Sequence, residues 1–519
     1  MVRAIGRYEW SFVAAAKLLA VAALMAVLQA LSPSGGALAQ TVTSFDGDHG
    51  PGREVCRSAT PPIHCDRAEM DVATNGKQVV QVTWQNVNVY DTAGKLLKST
   101  PLAALIGTTG LDPDAKKDAG PFEPHIVYNE FIERWIITVT CRNDCTLVSA
   151  GADATGEWGG TYLSCLHGGQ CLARNPAVKV GYDRNGTYIC GGRGGHENPA
   201  TVPGVAYDCF ALSPEEVKGI GQGKAPTHLN RTANMPLDIV PAIDHNREKA
   251  PTAPAFFVNK SCDRHAQHAC QRSANFSFHW VVNSFTWNGA TGTWNAGGAQ
   301  QLVKTGIGSQ ENKWLYNTPC CGPTMSIPQL GSEGTLRAAT SHRLMNVVQH
   351  GSKLQGVLGT GPCVENCGAQ GADANNILIW VELDCANPTA CVVSQTAKLS
   401  SPDRHYEFGT IGVDDAGNLG IVGTTSNANM HLSVLLWTRK ANDPANTFAE
   451  PVTVVTGGHP YLCANDKGMS PMGNSAGTLT SLDPIDRKTL WSTQQWANDP
   501  AECVWNTRIV GYRVGADQK

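Results

Sequence analysis

The residues of this chain best equipped for chemistry are its histidines and cysteines, and one stretch gathers both. Cys262-Asp-Arg-His265-Ala-Gln-His268-Ala-Cys270 holds two thiols and two imidazoles within nine residues. Zinc takes such ligands, but structural zinc sites present pairs from two separated knuckles, whereas here all four crowd one loop. A disulfide closing the loop, with the histidines facing solvent, is the favoured reading. His125, His342, His405 and His459 are the first candidates for copper or another metal, because neutral imidazole is a common ligand. Calcium would draw on Asp112-Pro-Asp114 with Asp118, a cluster that lacks the full calcium-loop pattern and its terminal bidentate Glu. No cofactor is predicted on this basis, and copper and calcium stand as the two to test. The adjacent Cys320 and Cys321, beside Gly322 and Pro323, would form a rigid turn if bridged, with a redox or ligand role as the alternative.

The chain contains 18 cysteines, an even number that falls almost wholly into close neighbours. Spacing pairs Cys56 with Cys65, Cys141 with Cys145, Cys165 with Cys171, Cys190 with Cys209, and Cys262 with Cys270. It further pairs Cys363 with Cys367, Cys385 with Cys391, and Cys463 with Cys503, leaving Cys320 to Cys321. Such bridges persist in an oxidising compartment, and short ones pin loops. The opening residues agree with that compartment. Arg3 and Arg7 precede an apolar run from about Phe12 to Leu31, followed by Ala37-Leu38-Ala39 before Gln40. This is the charged, apolar and cleavable order of a secretory signal peptide, the alternative being an uncleaved anchor. The expected organisation is a signal peptide over 1–39, an N-terminal extension with a short disulfide loop over 40–70, and one domain over 71–519. A secreted or periplasmic protein with no membrane span after processing is implied.

With 54 Gly, 29 Pro and 13 Trp against 16% charged residues, the chain is rich in turns and poor in polar helix faces. A formal net charge of -4 argues against nucleic-acid partners. Phosphate-cradling loops, dinucleotide fingerprints and the Gly-x-Ser-x-Gly elbow are absent from the sequence. Helical periodicity is scarce: Pro101-Leu-Ala-Ala-Leu105 and Ser213-Pro-Glu-Glu-Val217 read as single turns.

The elements that must position any site recur. An apolar strand ends in an acidic or amide residue, turns tightly, and is followed by a second apolar strand with aromatics and then a third. Pro124–Asn129 leads to Arg134–Thr140, and Val178–Asp183 turns at Asn185-Gly186, a strong hairpin signal, into Thr187–Cys190. Ile239–Asp244 runs to Ala255–Val258, Thr410–Asp414 to Leu419–Gly423, and Leu479–Asp483 to Thr489–Thr493. Two weaker units complete the set: Val79–Thr83 with Val87–Asp91, and a stretch from Met325 through Leu336–Thr340 and Val347-Val348 to Asn376–Trp380. Seven antiparallel units that cannot each bury both faces alone predict an all-β fold, a single seven-bladed β-propeller with disulfide-stapled loop insertions. Tandem β-sandwiches and an α/β fold are the alternatives, and neither a mid-chain linker nor crossover helices support them.

These blocks resemble a group of secreted bacterial β-propeller proteins with a sialidase-like arrangement of blades. The resemblance is carried by Glu123-Pro-His-Ile-Val-Tyr128 with Arg134-Trp135, Asp153-Ala-Thr-Gly-Glu-Trp158, Lys179-Val-Gly-Tyr-Asp183, Ser481-Leu-Asp-Pro484 with Leu490-Trp491, and Trp505-Asn-Thr-Arg-Ile509. It extends from about residue 70 to the end. The family's Trp-Gly-Asp-Tyr-like sequence is replaced here by Met472-Gly-Asn-Ser475. A sialidase-like fold implies an arginine cluster for a carboxylate and a Tyr paired with Glu as nucleophile. Arg134, Arg337, Arg343, Arg439 and Arg508, with Tyr128 and Glu130, are the residues available for it. Of the Ser-x-Asp-x-Gly-x-Thr-Trp box only the tail survives, at Ala290-Thr-Gly-Thr-Trp294.

Aligning the inner strands on their terminal Asp or Asn places His125 and Lys179 at similar positions near the central channel. The candidate ligand-binding residues are His125, Lys179, Tyr128, Arg337 and Glu407. The leading expectation is a binding module for a glycan, small ligand or protein. A glycoside hydrolase of sialidase-like fold and a copper oxidoreductase with a channel site are the alternatives.

Overall fold

Runs such as Arg134-Trp-Ile-Ile-Thr-Val-Thr140 are β-branched and apolar at successive positions, so they suit strands covered on both faces. In the computed structural model they form the middle strands of radially packed sheets. The structure describes residues 39–54, 68–113, 121–141, 144–163, 178–192, 207–235, 239–262, 278–295, 301–304, 326–337, 344–360, 375–463, 469–471 and 479–515.

Seven antiparallel sheets follow one another as the blades of a propeller. Blade 1 is built from Asp71–Thr74, Gln78–Val82, Asn86–Asp91 and Leu96–Pro101. Blade 2 spans Phe122–Tyr162, blade 3 Lys179–Met235 and blade 4 Val240–Lys304. Blade 5 comprises Leu344–His350, Lys353–Thr360, Ile377–Asp384 and Val392–Leu399, and blade 6 runs from His405 to Val455. Blade 7 takes its inner three strands from Thr480–Leu482, Leu490–Trp496 and Asn506–Val514. Its outer strand comes from the other end of the chain, where Ala39–His49 pairs with Asn506–Val514 from Ala39 opposite Val514 to His49 opposite Asn506.

Each unit read from sequence falls in a separate blade, with one displacement. Of the stretch from Met325 to Thr340, the described residues 326–337 do not enter blade 5. Ser326–Ile327 and Thr335–Arg337 instead form an accessory sheet with Met469–Pro471, and Leu344–His350 serves as the inner strand of that blade. Ile243–Asp244, the end of the blade 4 inner strand, pairs in parallel with Val348 and Gln349 and so stitches blade 4 to blade 5. Two helices are longer than the single turns expected. Leu102–Thr108 follows blade 1, and Pro214–Gly221 is capped by the Ser213 hydroxyl, with Glu215 and Glu216 in its first turn.

The core is divided. Seven apolar clusters each fill the gap between two neighbouring blades, from Trp135, Ile137 and Val89 between blades 1 and 2 to Trp491, Ile509 and Val79 between blades 7 and 1. An eighth, with Met70, Trp84, Ile327, Leu336, Met345, Phe408, Tyr461 and Trp505, lies under the accessory sheet. Four disulfides are present among the described residues: Cys141–Cys145, Cys190–Cys209, Cys385–Cys391 and Cys463–Cys503. The pairings expected for Cys56 with Cys65, Cys165 with Cys171, Cys262 with Cys270, Cys320 with Cys321 and Cys363 with Cys367 lie outside the described side chains. Among the described residues no helix is long and apolar enough to cross a membrane.

Candidate functional site

Every inner strand starts at one face, here called upper, and ends at the other. At the lower end of all but blade 5 the closing residue caps the turn. Asn75 Oδ1 accepts from Lys77 and Gln78 N, Asn129 Oδ1 from Phe131 N, and Asp183 Oδ1 from Asn185 and Gly186 N. Asp244, Asp414 and Asp483 do the same in blades 4, 6 and 7. The repeated acidic or amide residue is therefore an Asx turn, which satisfies backbone donors where the ladder stops.

Four residues before Asn75, Asn129 and Asp183 stand Asp71, His125 and Lys179, on three consecutive blades. All three are buried at the head of the channel. The Asp71 carboxylate accepts from Val72 N at 2.8 Å, Leu479 N at 2.7 Å and Ile126 N at 3.0 Å, and lies 3.2 Å from His125 Nδ1. One side chain thus joins blades 7, 1 and 2. Burial, with the nearby Lys179 ammonium, pushes the His125 pKa down, against the opposing pull of Asp71 and Glu123. A neutral ring donating from Nδ1 leaves Nε2 as an acceptor, and that atom has no hydrogen-bond partner among the described residues. Just above, Glu69 and Glu123 take positive φ of 38° and 54°, each two residues before its channel residue; Phe408, at 52°, precedes Thr410 likewise. Non-glycine residues in this region are strained, and here they accompany register shifts at the start of the inner strands of blades 2 and 6.

Below this head a small cavity of about 10 Å³ lies among Ala73, Val127, Tyr182, Ile243 and Ser481. Gly181 allows the approach of blades 3 and 4, since a Cβ there would come within 2.6 Å of the Pro241 and Ala242 carbonyl oxygens. At the lower mouth Glu130 lies 2.9 Å from His245 Nδ1 and 3.2 Å from Arg487 Nη1, and Arg487 also grips Asp415 at 2.6 Å. Burial disfavours the charged Glu130, but His245 and Tyr182 outweigh it and hold the carboxyl at about 2. The glutamate nearest Tyr128 in sequence is thus held by His245 and Arg487, and the phenol of Tyr182, 3.3 Å from His245 Nδ1, is pushed well up by burial and by Glu130, away from nucleophilic use. Tyr128 itself packs on Trp135 at 4.8 Å, and burial pushes it up to about 12.

Of the arginines available for a carboxylate cluster, the three whose side chains are described are dispersed. Arg134 folds onto the carbonyls of Ile132 and Glu133, Arg439 binds Gln395 and lies over Trp380, and Arg508 pairs with Ser44 and Asp46 of the closing strand. Arg337 has its backbone in the accessory sheet, and its side chain, like His342, Arg343, His265 and His268, is outside the described set. Among the described residues no group of three or more His, Cys, Asp and Glu side chains could hold a metal. Asp112 is described, whereas Asp114 and Asp118 are not. His459 is exposed and acts electrostatically on His431.

His405 and Glu407 lead elsewhere. An open cleft of about 450 Å³ lies at the upper edge of blade 6, formed by Pro402–His405, the turn Asn427–Met430, Asn375 and Pro328. His405 Nδ1 accepts from Asn376 N at 3.2 Å, and the Asn376 amide donates to the buried Glu407 carboxylate. Burial holds the ring at about 4, hence neutral near pH 7. Arg404 Nε stands 3.7 Å from Asp403 Oδ1, with the two side chains 33% and 66% exposed, so both are open to an incoming group. The Ser401 hydroxyl donates to Asp403 and holds that carboxyl below its usual range. Asn427 Nδ2 donates to the Asp403 carbonyl at 2.7 Å and fixes the turn against the strand. Asp71, the Glu130–His245–Arg487 latch and this cleft were not foreseen from sequence. Asp71 could have been found by counting back four residues from Asn75, as for His125 and Lys179.

No protein-family model matches the chain, and no curated protein is similar to it. Solved propellers are remotely alike in fold. An ulvan lyase of polysaccharide lyase family PL25 shares 10% identity over 92% of this chain and 96% of its own, with a TM-score of 0.39. Drosophila Semaphorin 1a, extracellular domains 1-2, shares 8% over 91% and 88%, at 0.40. A thermostable family-43 glycoside hydrolase shares 10% over 63% and 94%, at 0.26. At these scores the likenesses carry no argument about activity, and the reading of the site rests on the residues themselves.

Proposed function

We propose that the protein is an extracytoplasmic β-propeller that binds a glycan or other small polar ligand, and that the cleft at the upper edge of blade 6 receives it. One observation carries this reading: an open cleft of about 450 Å³ in which Asp403, Arg404 and His405 are presented side by side. Hydrogen bonds from Ser401, Asn376 and Asn427 hold that stretch from behind. Ligand sites of this size combine an apolar wall with a few fixed polar groups. Binding is favoured over glycoside hydrolysis because, among the described residues that line the cleft, Asp403 is the only carboxylate, and hydrolysis calls for a facing pair. Four disulfides are consistent with an oxidising compartment, and the apolar run before Ala37-Leu38-Ala39 supports export.

The test is a glycan and metabolite screen on secreted protein, followed by calorimetry of the hits with wild type and Ala428→Trp, whose indole would fill the exposed turn of the cleft. Affinity is expected to fall at least about tenfold in the variant with its melting temperature unchanged, a loss of about 1.4 kcal/mol. Equal affinity in the two proteins would remove the cleft from consideration. Turnover of a bound glycan would replace binding by hydrolysis.

A further inference from the structure

Charge and hydrogen-bonding capacity within the cleft narrow the class of ligand, given that the cleft is the binding site. Among the described residues lining it, Asp403 and Arg404 are the only ones of fixed charge, and they are of opposite sign. With the two charges 3.7 Å apart they offset each other, and the lining as a whole favours neither an anion nor a cation. A carboxylate ligand would meet Asp403, and an ammonium would meet Arg404.

The donors and acceptors are nevertheless sharply assigned. Because Asn376 N–H donates to His405 Nδ1, the neutral ring carries its proton on Nε2, and that N–H edge is what remains for the cleft. Among the described residues the Arg404 guanidinium meets Asp403 through Nε, which leaves its terminal N–H groups available to a ligand. Asp403 supplies a carboxylate with two-thirds of its side chain exposed. Donors and an acceptor therefore come from three successive residues, beside the C–H surfaces of Pro328, Pro402, Ala428 and Met430. A group that both donates and accepts at adjacent atoms, bears no charge and has an apolar face matches this set. We infer that the cleft recognises the vicinal diol of a neutral saccharide, one hydroxyl donating to Asp403 while its neighbour accepts from Arg404 and the His405 Nε2–H.

Saturation-transfer NMR and calorimetry on the full secreted chain test this with methyl glycosides of glucose, galactose and mannose, each beside its uronate and its 2-amino-2-deoxy counterpart. At least one neutral glycoside is expected to bind more tightly than both charged relatives. Asp403→Asn is expected to weaken it at least about fivefold and to improve the uronate. Ala428→Trp should abolish all binding. If a charged relative binds more tightly than its neutral parent, or Asp403→Asn leaves neutral binding unchanged, the diol assignment is overturned while the cleft stands. Binding that survives Ala428→Trp overturns both. Circular dichroism and thermal melting of each variant exclude misfolding, and Asn429→Ala, on the same turn, provides a second lesion that should weaken binding without touching the charged pair.

Discussion

His405 and His125 are held neutral in the fold, chiefly because burial penalises the charged ring. An unfolded histidine titrates near 6.5, so between there and the folded value the unfolded chain binds more protons and stability falls as the solution is acidified. The folded value of about 4 for His405 fixes the lower limit of its window. Asp403 and Arg404 flank it on its own segment, Asn376 faces Nδ1, and Glu407 stands behind Asn376. The shift corresponds to about 3 kcal/mol, and screening at the open cleft reduces the expected size to about 2. Urea titrations at pH 7.5, 6, 5 and 4 should show full stability above pH 6.5 and a progressive loss to pH 4. His405→Asn should flatten part of that slope, and an unchanged slope would count against the assignment. The residues of the channel head were partly legible in the chain. His125 and Lys179 stand out once inner strands are aligned, but Asp71 was hidden because the first unit is recognisable only from Val79, the second strand of its blade.

At the scale of elements, the recurring Asx turn explains why blades can be counted from sequence. Its chemistry is local: a short acceptor two or three residues before the donors it satisfies. Asp414 accepts from Ala416 N, Asn418 N and Asn418 Nδ2 at 2.9 Å each. Asp414→Ala should therefore cost about 2 kcal/mol, roughly one net hydrogen bond plus the penalty of stranded donors. Hydrogen exchange should rise at residues 414–418 before the rest of blade 6, whereas uniform protection would show the turn to be carried by its neighbours. Blade 5 lacks this signature, since its inner strand ends in Gln349-His350-Gly351, and that is the blade whose first strand was misplaced. The accessory sheet was illegible for a different reason. Thr335–Arg337 pairs with Met469–Pro471 far along the chain, and no periodicity announces a partner at that distance.

For the whole molecule, stability depends on a ring of seven apolar interfaces, and a ring has no free edge only while every member is present. The closing strand is tied by its ladder to Asn506–Val514, interrupted at two register shifts, by Arg508 to Ser44 and Asp46, and by Asp48 to Thr83 and Asn86 of blade 1. Removing residues 40–49 should expose the edge of blade 7 and open the junction with blade 1. Size-exclusion chromatography should then show association, and the melting transition should fall by about 2 to 5 °C, or roughly 2 to 5 kcal/mol for a chain of this length. A variant that stays monomeric with an unchanged transition would mean that the ring closes without the strand. This strand escaped the sequence reading because it has no hairpin partner beside it. The same closure sets a timetable for biogenesis. Asp46 and Arg508 are 462 residues apart, so a chain emerging from its N-terminus must keep an unpaired edge in reserve until its last strand arrives. Blades 1 to 6 can pack as they appear, but the ring cannot lock before Asn506–Val514 has emerged, and until then the nascent protein is exposed to holdases and proteases.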